Sequence, residues 1–196
     1  MRTLSLILTG FLTLKIIPCP LNSCDQNSNA NSISNISIVY SRVINCSFLT
    51  RYNEAKSSGL SEYFWGSYSA ASYSMDNFMN RINEAGSAGL PDAFLGIYAA
   101  CNWNLAGFQS RYNIIKTTGL SDFYWGPFAS CGRTVEDFNN RINEANGAGF
   151  PDFFCGDYAA SDKSIREFKK RYNKIRKTKL PYSFWGKYAA SNCNLF

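Results

Sequence analysis

Apolar residues recur along the chain at the three- and four-residue spacing of an amphipathic helix. Met75, Phe78, Ile82 and Ala85 follow this spacing, and the pattern returns 30 residues later from Leu105. A residue that commonly caps a helix N-terminus precedes such runs at Ser74, Asn104, Thr134 and Ser164. Gly89, Gly119 and Gly149 stand where left-handed C-caps would end them. The pattern predicts helices that begin near residues 44, 74, 104, 134 and 164.

The helices belong to a 30-residue unit that occurs five times without insertion or deletion. Its most regular positions are a phenylalanine, an arginine three residues later, and a glycine. They are Phe48, Phe78, Phe108, Phe138 and Phe168; Arg51, Arg81, Arg111, Arg141 and Arg171; and Gly66, Gly96, Gly126, Gly156 and Gly186. Because one unit alone could not bury its apolar stripe, the units are expected to pack against one another.

Each unit ends in a short aromatic run around the regular glycine, as in residues 63–68. Glycine and, in one unit, Pro127 are unfavourable inside a helix by about 1 and about 3 kcal/mol. We therefore interpret the run as a strand, and predict an α/β fold in which five helix-strand repeats form a small repeat array or open sheet. The alternative is an all-α helix-turn-helix solenoid, since Leu90, Phe94 and Tyr98 are four residues apart.

The N-terminal region differs from the repeat and indicates export. Residues 1–24 combine Arg2 with an apolar run that is too short for a comfortable membrane span, which predicts a signal peptide. Residues 21–24 resemble a bacterial lipobox with an atypical Asn22, so Cys24 is a candidate lipidation site, and plain secretory cleavage is the alternative. A polar tether is predicted over residues 25–34 and the five-unit repeat domain over 35–196.

Two further modifications fit an exported protein. Asn35 and Asn45 match the N-glycosylation acceptor pattern, although such matches arise easily in an Asn/Ser-rich stretch. Cys101 and Cys131 occupy the same phase of adjacent units, which makes them a candidate disulfide pair. The domain is also expected to open with a strand over residues 36–40.

One part of the repeat resembles a known family. Residues 125–130, the helix after Thr134 and residues 149–154 together look like half of a SPOR domain, the bacterial peptidoglycan-binding module. The resemblance implies a βαββαβ-like sheet that binds glycan strands lacking their peptide stems. The rigid 30-residue period departs from that family, since only one strand per unit would serve where the SPOR fold uses two.

The residue types favour a protein without catalytic chemistry. The chain has no histidine, and it shows no nucleophile-base set, metal-ligand cluster or phosphate-binding loop. Asp92, Asp122 and Asp152 are equivalent residues in successive units, which reflects copying rather than a unique acid/base pair. We therefore expect neither an enzyme nor a bound cofactor or metal.

Aromatic and basic side chains are the candidate ligand-binding residues. Trp65, Trp103, Trp125 and Trp185 could stack on sugar rings, and the five regular arginines could contact anions. The alternatives are buried packing for the tryptophans and carbonyl capping for the arginines. Lys169, Lys170 and Lys174 belong to a segment from 162 to 187 with ten basic and two acidic residues, a net charge of +8. That segment fits either a polyanion-binding surface or a solvated terminal cap.

The sequence thus predicts an exported, non-catalytic module that binds polysaccharide, peptidoglycan or another anionic surface polymer. Export makes nucleic acid an unexpected partner, and membrane contact is expected only through a lipid on Cys24. The alternatives are a structural or protein-interaction repeat and, third, an enzyme of unrecognised type. A solvent-facing tryptophan row would favour binding, buried tryptophans would favour structure, and one pocket gathering polar residues from several units would favour an enzyme.

Overall fold

The structure, a computed structural model, describes residues 47–196, which form ten α-helices in five helical hairpins. The first helix of each hairpin lies outside, and these outer helices are α1 (Phe48–Ser57), α3 (Met75–Ser87), α5 (Leu105–Lys116), α7 (Val135–Gly147) and α9 (Ile165–Ile175). A short turn leads to an inner helix, and the inner helices are α2 (Glu62–Ala70), α4 (Asp92–Ala100), α6 (Trp125–Ser130), α8 (Asp152–Ala160) and α10 (Trp185–Ala190). Short 3₁₀ turns, Asp122–Tyr124 and Tyr182–Phe184, precede α6 and α10.

The outer helices start and stop at local signals in the sequence. Each begins directly after a capping residue whose side chain accepts a hydrogen bond from the backbone three residues on, as Asn104 does from Gly107 N–H at 2.8 Å. After the first four outer helices the chain turns through a glycine in the left-handed region, with φ of 80° at Gly59 and 74° at Gly89. The caps therefore place the outer helices at residues 48, 75, 105, 135 and 165.

The predicted α/β fold is wrong, because the aromatic-glycine run is helical in every unit. Residues 63–68, interpreted above as a strand, lie within α2, and no sheet occurs in residues 47–196. The all-α alternative matches the structure. Pro127 is tolerated since it lies in the first turn of α6, where an N–H without an intrahelical partner is the rule.

Several other expectations concern the sheet or the N-terminal region. The βαββαβ-like sheet implied by the SPOR resemblance is not formed by residues 47–196. The predicted signal peptide, tether and strand over 36–40 lie outside the described residues, as do Cys24, Asn35 and Asn45.

The five hairpins close into a ring instead of extending as an open stack. Inner helices contact one another in cyclic order, α2 with α4, α4 with α6, α6 with α8, α8 with α10, and α10 with α2. Residues at the start of the first unit and at the end of the last unit complete the ring, because Phe48 N–H donates to Asn194 O at 2.8 Å and Leu49 N–H donates to Leu195 O at 3.1 Å. Each outer helix packs on the inner helix of its own unit.

Aromatic rings connect consecutive units in the same cyclic order. The regular phenylalanine of each unit is fully buried and meets an aromatic ring of the preceding unit edge to face, as Phe108 meets Tyr98 at 5.4 Å. Phe48 makes the equivalent contact with Tyr188 at 5.5 Å, across the join between the first and last units. The buried residues form four clusters around the ring, and each cluster is shared by two or more neighbouring units.

The regular glycines allow the inner helices to approach closely. A Cβ on Gly96 would lie 2.9 Å from the ring of Phe64, and a Cβ on Gly126 would lie 2.7 Å from the ring of Phe94. The same relation continues round the ring to Gly66, whose Cβ would lie 2.6 Å from Phe184. Glycine occupies these helical positions because a neighbouring ring fills the space that a side chain would need.

Candidate functional site

Three of the candidate tryptophans join the turn and the two helices of their own units. Trp65, Trp125 and Trp185 are half-buried, and their indole N–H groups donate to the carbonyls of Leu60, Leu120 and Leu180 at 2.7, 2.9 and 3.1 Å. Each ring also meets a tyrosine of the outer helix edge to face, as Trp65 meets Tyr52 at 5.7 Å. These tryptophans do not form a solvent-facing row.

Trp103 lies elsewhere, in the link before α5, and is also half-buried. Its ring covers Gly107, where a Cβ would lie 2.9 Å from it, and the guanidinium of Arg111 lies 5.7 Å from its centroid. These contacts place Trp103 between the link and the outer helix, not on an open surface.

The five regular arginines bind backbone carbonyls at the C-termini of inner helices. Arg141 donates to the carbonyls of Tyr158, Ala159, Ser161 and Lys163 at 3.1, 3.3, 3.1 and 2.7 Å. Arg51, Arg81, Arg111 and Arg171 make corresponding contacts in their own units. The fork geometry of guanidinium suits several carbonyls at once, and the negative end of a helix favours a cation.

Burial accompanies this capping. Desolvation lowers the pKa of Arg51, Arg141 and Arg171 from the usual arginine value. The guanidinium of Arg141 also lies 4.2 Å from the ring centroid of Tyr158, so it is stacked as well as hydrogen-bonded. The arginines therefore connect each inner helix to the link that follows it.

The candidate lysines have different surroundings, because they point into solvent. Arg166, Lys169, Lys170 and Lys174 on α9 are all exposed, and we call these four residues the basic face. None of them belongs to an ion pair among residues 47–196. Glu167, the acidic residue of the same helix, is instead paired with Lys163 at 3.1 Å. The basic face therefore keeps its positive charge unneutralised.

Helical geometry aligns the basic face along α9. Arg166, Lys170 and Lys174 are spaced by four residues, and Lys169 follows Arg166 by three, so all four lie on one side of the helix. At 1.5 Å rise per residue, the face extends for about 12 Å with charges separated by about one turn. Such a row can contact successive charges of a linear polyanion.

The predicted disulfide between Cys101 and Cys131 does not form. Both residues are buried thiols just after α4 and α6, and the Cys131 thiol donates to Phe128 O at 3.4 Å. Equivalent positions on neighbouring packed helices are separated by about the interaxial distance of 8–10 Å. A disulfide needs Cα atoms within about 7 Å.

A central cavity opens between the N-terminal ends of the inner helices, and we call it the funnel. Its volume is about 560 Å³, and the exposed rings of Tyr63, Phe123 and Phe153 lie on its rim with the carboxylates of Glu62 and Asp122. A second cavity of about 70 Å³ continues towards the C-terminal ends, where small residues such as Ala70 and Ala100 line the axis.

One layer of side chains borders both cavities. It consists of one residue from each unit: Ser67, Ile97, Pro127, Asp157 and Lys187. Lys187 Nζ donates to Asp157 Oδ1 at 2.6 Å, so the two charges of this layer are paired with each other. Sequence reasoning missed these residues because their convergence depends on ring closure. The signal in the sequence that could have identified them is that the five units carry five different residues at this repeat position.

Comparisons of the chain with protein-family models, with curated proteins and with solved structures gave no match. None of the helices within residues 47–196 has the length and hydrophobicity needed to cross a membrane. Across the same residues, no three His, Cys, Asp or Glu side chains are grouped so as to hold a metal ion.

Proposed function

We propose that the chain is an exported, non-catalytic binding module whose basic face holds an anionic surface polymer, specifically an acidic polysaccharide. The observation that carries this proposal is the row of four exposed, unpaired cations on α9. Export follows from the signal peptide expected over residues 1–24, and it favours a surface polysaccharide over nucleic acid as the polyanion.

Ring closure argues against a solubilising terminal cap as the explanation for this charge. In an open array, a charged last unit would keep a free end soluble. Here α10 packs against α2, and Leu195 is buried beside Phe48, so the last unit has a neighbour on both sides. A solubilising cap is therefore unnecessary, and the charge needs another reason.

The basic face is also peculiar to one unit. Lys174 corresponds to Glu54, Glu84, Ile114 and Glu144 in the other units, and Lys170 corresponds to Thr50, Asn80, Ser110 and Asn140. Packing does not require lysine here, because the same helix is built four times without it. A binding role accounts for its restriction to α9.

We infer binding rather than catalysis although the funnel gathers polar residues from several units. The two charged residues of its inner layer, Asp157 and Lys187, are bonded to each other at 2.6 Å. Neither group is therefore presented to a ligand as an unpaired base or nucleophile.

The second candidate function is that of a purely structural or protein-interaction repeat. The observation in its favour is that the regular tryptophans and arginines are engaged in hydrogen bonds within the ring. This candidate requires no polyanion affinity, so one binding experiment separates the two.

The test measures retention on immobilised polygalacturonate, a carboxylate-bearing polysaccharide, with neutral dextran as the matched matrix. The protein should bind polygalacturonate and should elute as salt rises from about 0.05 to about 0.5 M, because the Debye length then falls below the charge spacing. Lys169→Gln/Lys170→Gln should weaken binding about tenfold or more. Lys56→Gln/Lys116→Gln removes the same charge from exposed positions on α1 and α5 and should change binding little.

Three results would contradict the proposal. Equal losses in the two double variants would show that net charge, not the basic face, determines retention. Binding to phosphatidylglycerol vesicles or to duplex DNA in preference to polygalacturonate would identify another class of partner. Failure to bind any of these polyanions would favour the structural candidate.

A further inference from the structure

We propose that the funnel binds a small organic cation with an apolar body, such as a protonated arylalkylamine. This site lies on the ring axis at the N-terminal ends of the inner helices and is built from residues other than the basic face. It therefore stands independently of the polysaccharide proposal.

The first argument comes from where the repeat loses its regularity. Positions that build the ring are kept in every unit, such as the fully buried phenylalanines Phe48, Phe78, Phe108, Phe138 and Phe168. The layer on the axis is instead Ser67, Ile97, Pro127, Asp157 and Lys187, with five different side chains. Variation at the axis gives a symmetric ring an asymmetric interior, which is what recognition of one small ligand requires.

The second argument comes from aromatic rings that packing leaves in solvent. Phe123 is 72% exposed, Tyr63 is 62% exposed and Phe153 is 50% exposed, and all three line the funnel. Ala93 and Ser183 occupy the corresponding positions of the other two units, so the rim is open there. Exposed rings around a concave, largely apolar cavity are typical of ligand sites, and a volume of about 560 Å³ is in the range of such pockets.

The third argument concerns the sign of the ligand's charge. Lys187 is neutralised by Asp157, whereas Glu62 and Asp122 on the rim belong to no ion pair among residues 47–196. Five helix N-termini together contribute about 2.5 positive charges, which is less than the four full charges of the first-turn carboxylates at this end of the ring, Glu62, Asp92, Asp122 and Asp152. The rim is therefore net negative and repels an anion.

The aromatic faces favour the same sign. The quadrupole of a phenyl ring is negative over its face and attracts ammonium groups, especially where water is partly excluded. Asp122 and Phe123 both line the funnel, and so do Glu62 and Tyr63. An amine can thus contact a ring face and a carboxylate together, while Ile97 and Pro127 accept the apolar body.

The experiment uses three probes with the same body and different charge: phenethylamine, 2-phenylethanol and 3-phenylpropionate. Isothermal titration calorimetry or protein-observed NMR would measure the dissociation constant of each with the ring protein. Phenethylamine should bind about tenfold more tightly than the alcohol, and the carboxylate should bind more weakly than both. In the NMR titration, chemical-shift changes should be confined to the resonances of residues that line the funnel.

Variants of two funnel residues then test the aromatic contact and the carboxylate contact separately. Phe123→Ala should weaken binding of all three probes. Asp122→Asn should weaken binding of the amine alone, by about threefold, and so reduce its preference over the alcohol. The controls are Ile114→Ala and Glu136→Gln, which remove an exposed apolar and an exposed acidic side chain from α5 and α7, outside the funnel. The proposal would be overturned if the three probes bound equally or if the carboxylate bound most tightly. It would also be overturned if the control variants changed binding as much as the funnel variants.

Polygalacturonate binding provides the cross-check between the two proposals. The funnel variants should leave it unchanged, and Lys169→Gln/Lys170→Gln should leave phenethylamine binding unchanged. Either proposal can therefore fail while the other stands.

Discussion

At the residue scale, the regular glycines show how a residue that weakens a helix can stabilise a fold. In an isolated helix, glycine costs about 1 kcal/mol relative to alanine. In the ring, Gly96 allows the phenylalanine Phe64 of the preceding unit to lie against bare backbone. The close approach is available only because no Cβ intervenes, so the helix propensity lost is offset by packing between units.

A pair of glycine variants tests this explanation. Gly96→Ala places a methyl group 2.9 Å from the ring of Phe64 and 3.2 Å from Ser67 Oγ, and it should lower the free energy of unfolding by about 1–3 kcal/mol. Gly86→Ala on α3 has no neighbour within 4 Å and should raise it by about 0.5–1 kcal/mol. Urea denaturation measures both, and opposite signs are the expected result. Stabilisation by both variants would refute the packing role.

The arginines mark what local sequence reasoning can and cannot provide. From the sequence alone, a regular arginine three residues after a regular phenylalanine is compatible with either carbonyl capping or ligand contact. The partners of Arg141 are 17 to 22 residues away, at the end of an inner helix that was itself predicted as a strand. The contact could not be specified before the inner helix was known.

At the element scale, the two helices of a unit differ in how far their own sequences determine them. The outer helices carry local signals, which are a capping side chain, apolar residues at helical spacing and, in four of the five, a following left-handed glycine. These signals predict the start of four outer helices to within one residue. The first outer helix begins at Phe48, after the cap Ser47, and not near residue 44 as expected. The inner helices contain glycine and aromatic residues whose helical compatibility depends on which ring packs on which backbone, and that information belongs to the neighbouring unit.

The segment after α10 is the element on which ring closure depends. Leu195 is 1% exposed and belongs to the same buried cluster as Phe48 and Tyr188. Leu195→Ala should lower the free energy of unfolding by about 2–5 kcal/mol, because a cavity would open at the join between the first and last units. Phe196→Ala is the matched control, since Phe196 is 73% exposed, and it should have an effect below about 0.5 kcal/mol. Equal unfolding midpoints for the two variants in urea would contradict closure through this segment.

At the scale of the whole molecule, repetition means that the same tyrosine–glutamate hydrogen bond occurs in two units. Tyr158 Oη donates to Glu144 Oε2, and Tyr98 Oη donates to Glu84 Oε2 at 2.6 Å. Burial, followed by the hydrogen bond to Glu144, raises the pKa of Tyr158 from 10.0 to about 12. The same causes raise the pKa of Tyr98, with Glu84 as its partner.

The ring should therefore lose stability in alkali. Because the folded protein holds the Tyr158 proton more tightly than the unfolded chain, the contribution is complete below pH 10 and is lost as pH rises from about 10 to about 12. Tyr158→Phe should flatten the decline in the free energy of unfolding over this range, and Phe128 shows that the position accepts phenylalanine. Tyr63→Phe, on an exposed ring, is the control. An unchanged pH dependence in Tyr158→Phe would contradict this role.

Whole-molecule geometry also limited prediction of the candidate sites. The lysines of the basic face could be found from sequence, because ten basic residues in a short segment are visible without a fold. The funnel could not, since Asp157 and Lys187 are 30 residues apart and meet Ser67 only after the last unit returns to the first. Comparing the units for disagreement, rather than for likeness, would have selected these positions.

Closure of the ring has a consequence for how such a chain can change in length. An open solenoid gains or loses a copy at its end and keeps all of its other contacts. Here Phe184 packs on Gly66 and Tyr188 packs on Phe48, so the first and last units are in direct contact. A sixth copy would have to separate these two units and change the angle at every interface between units. Duplication or deletion of a single 30-residue block is thus an all-or-nothing event for this architecture, whereas point changes on the axis leave its circumference intact.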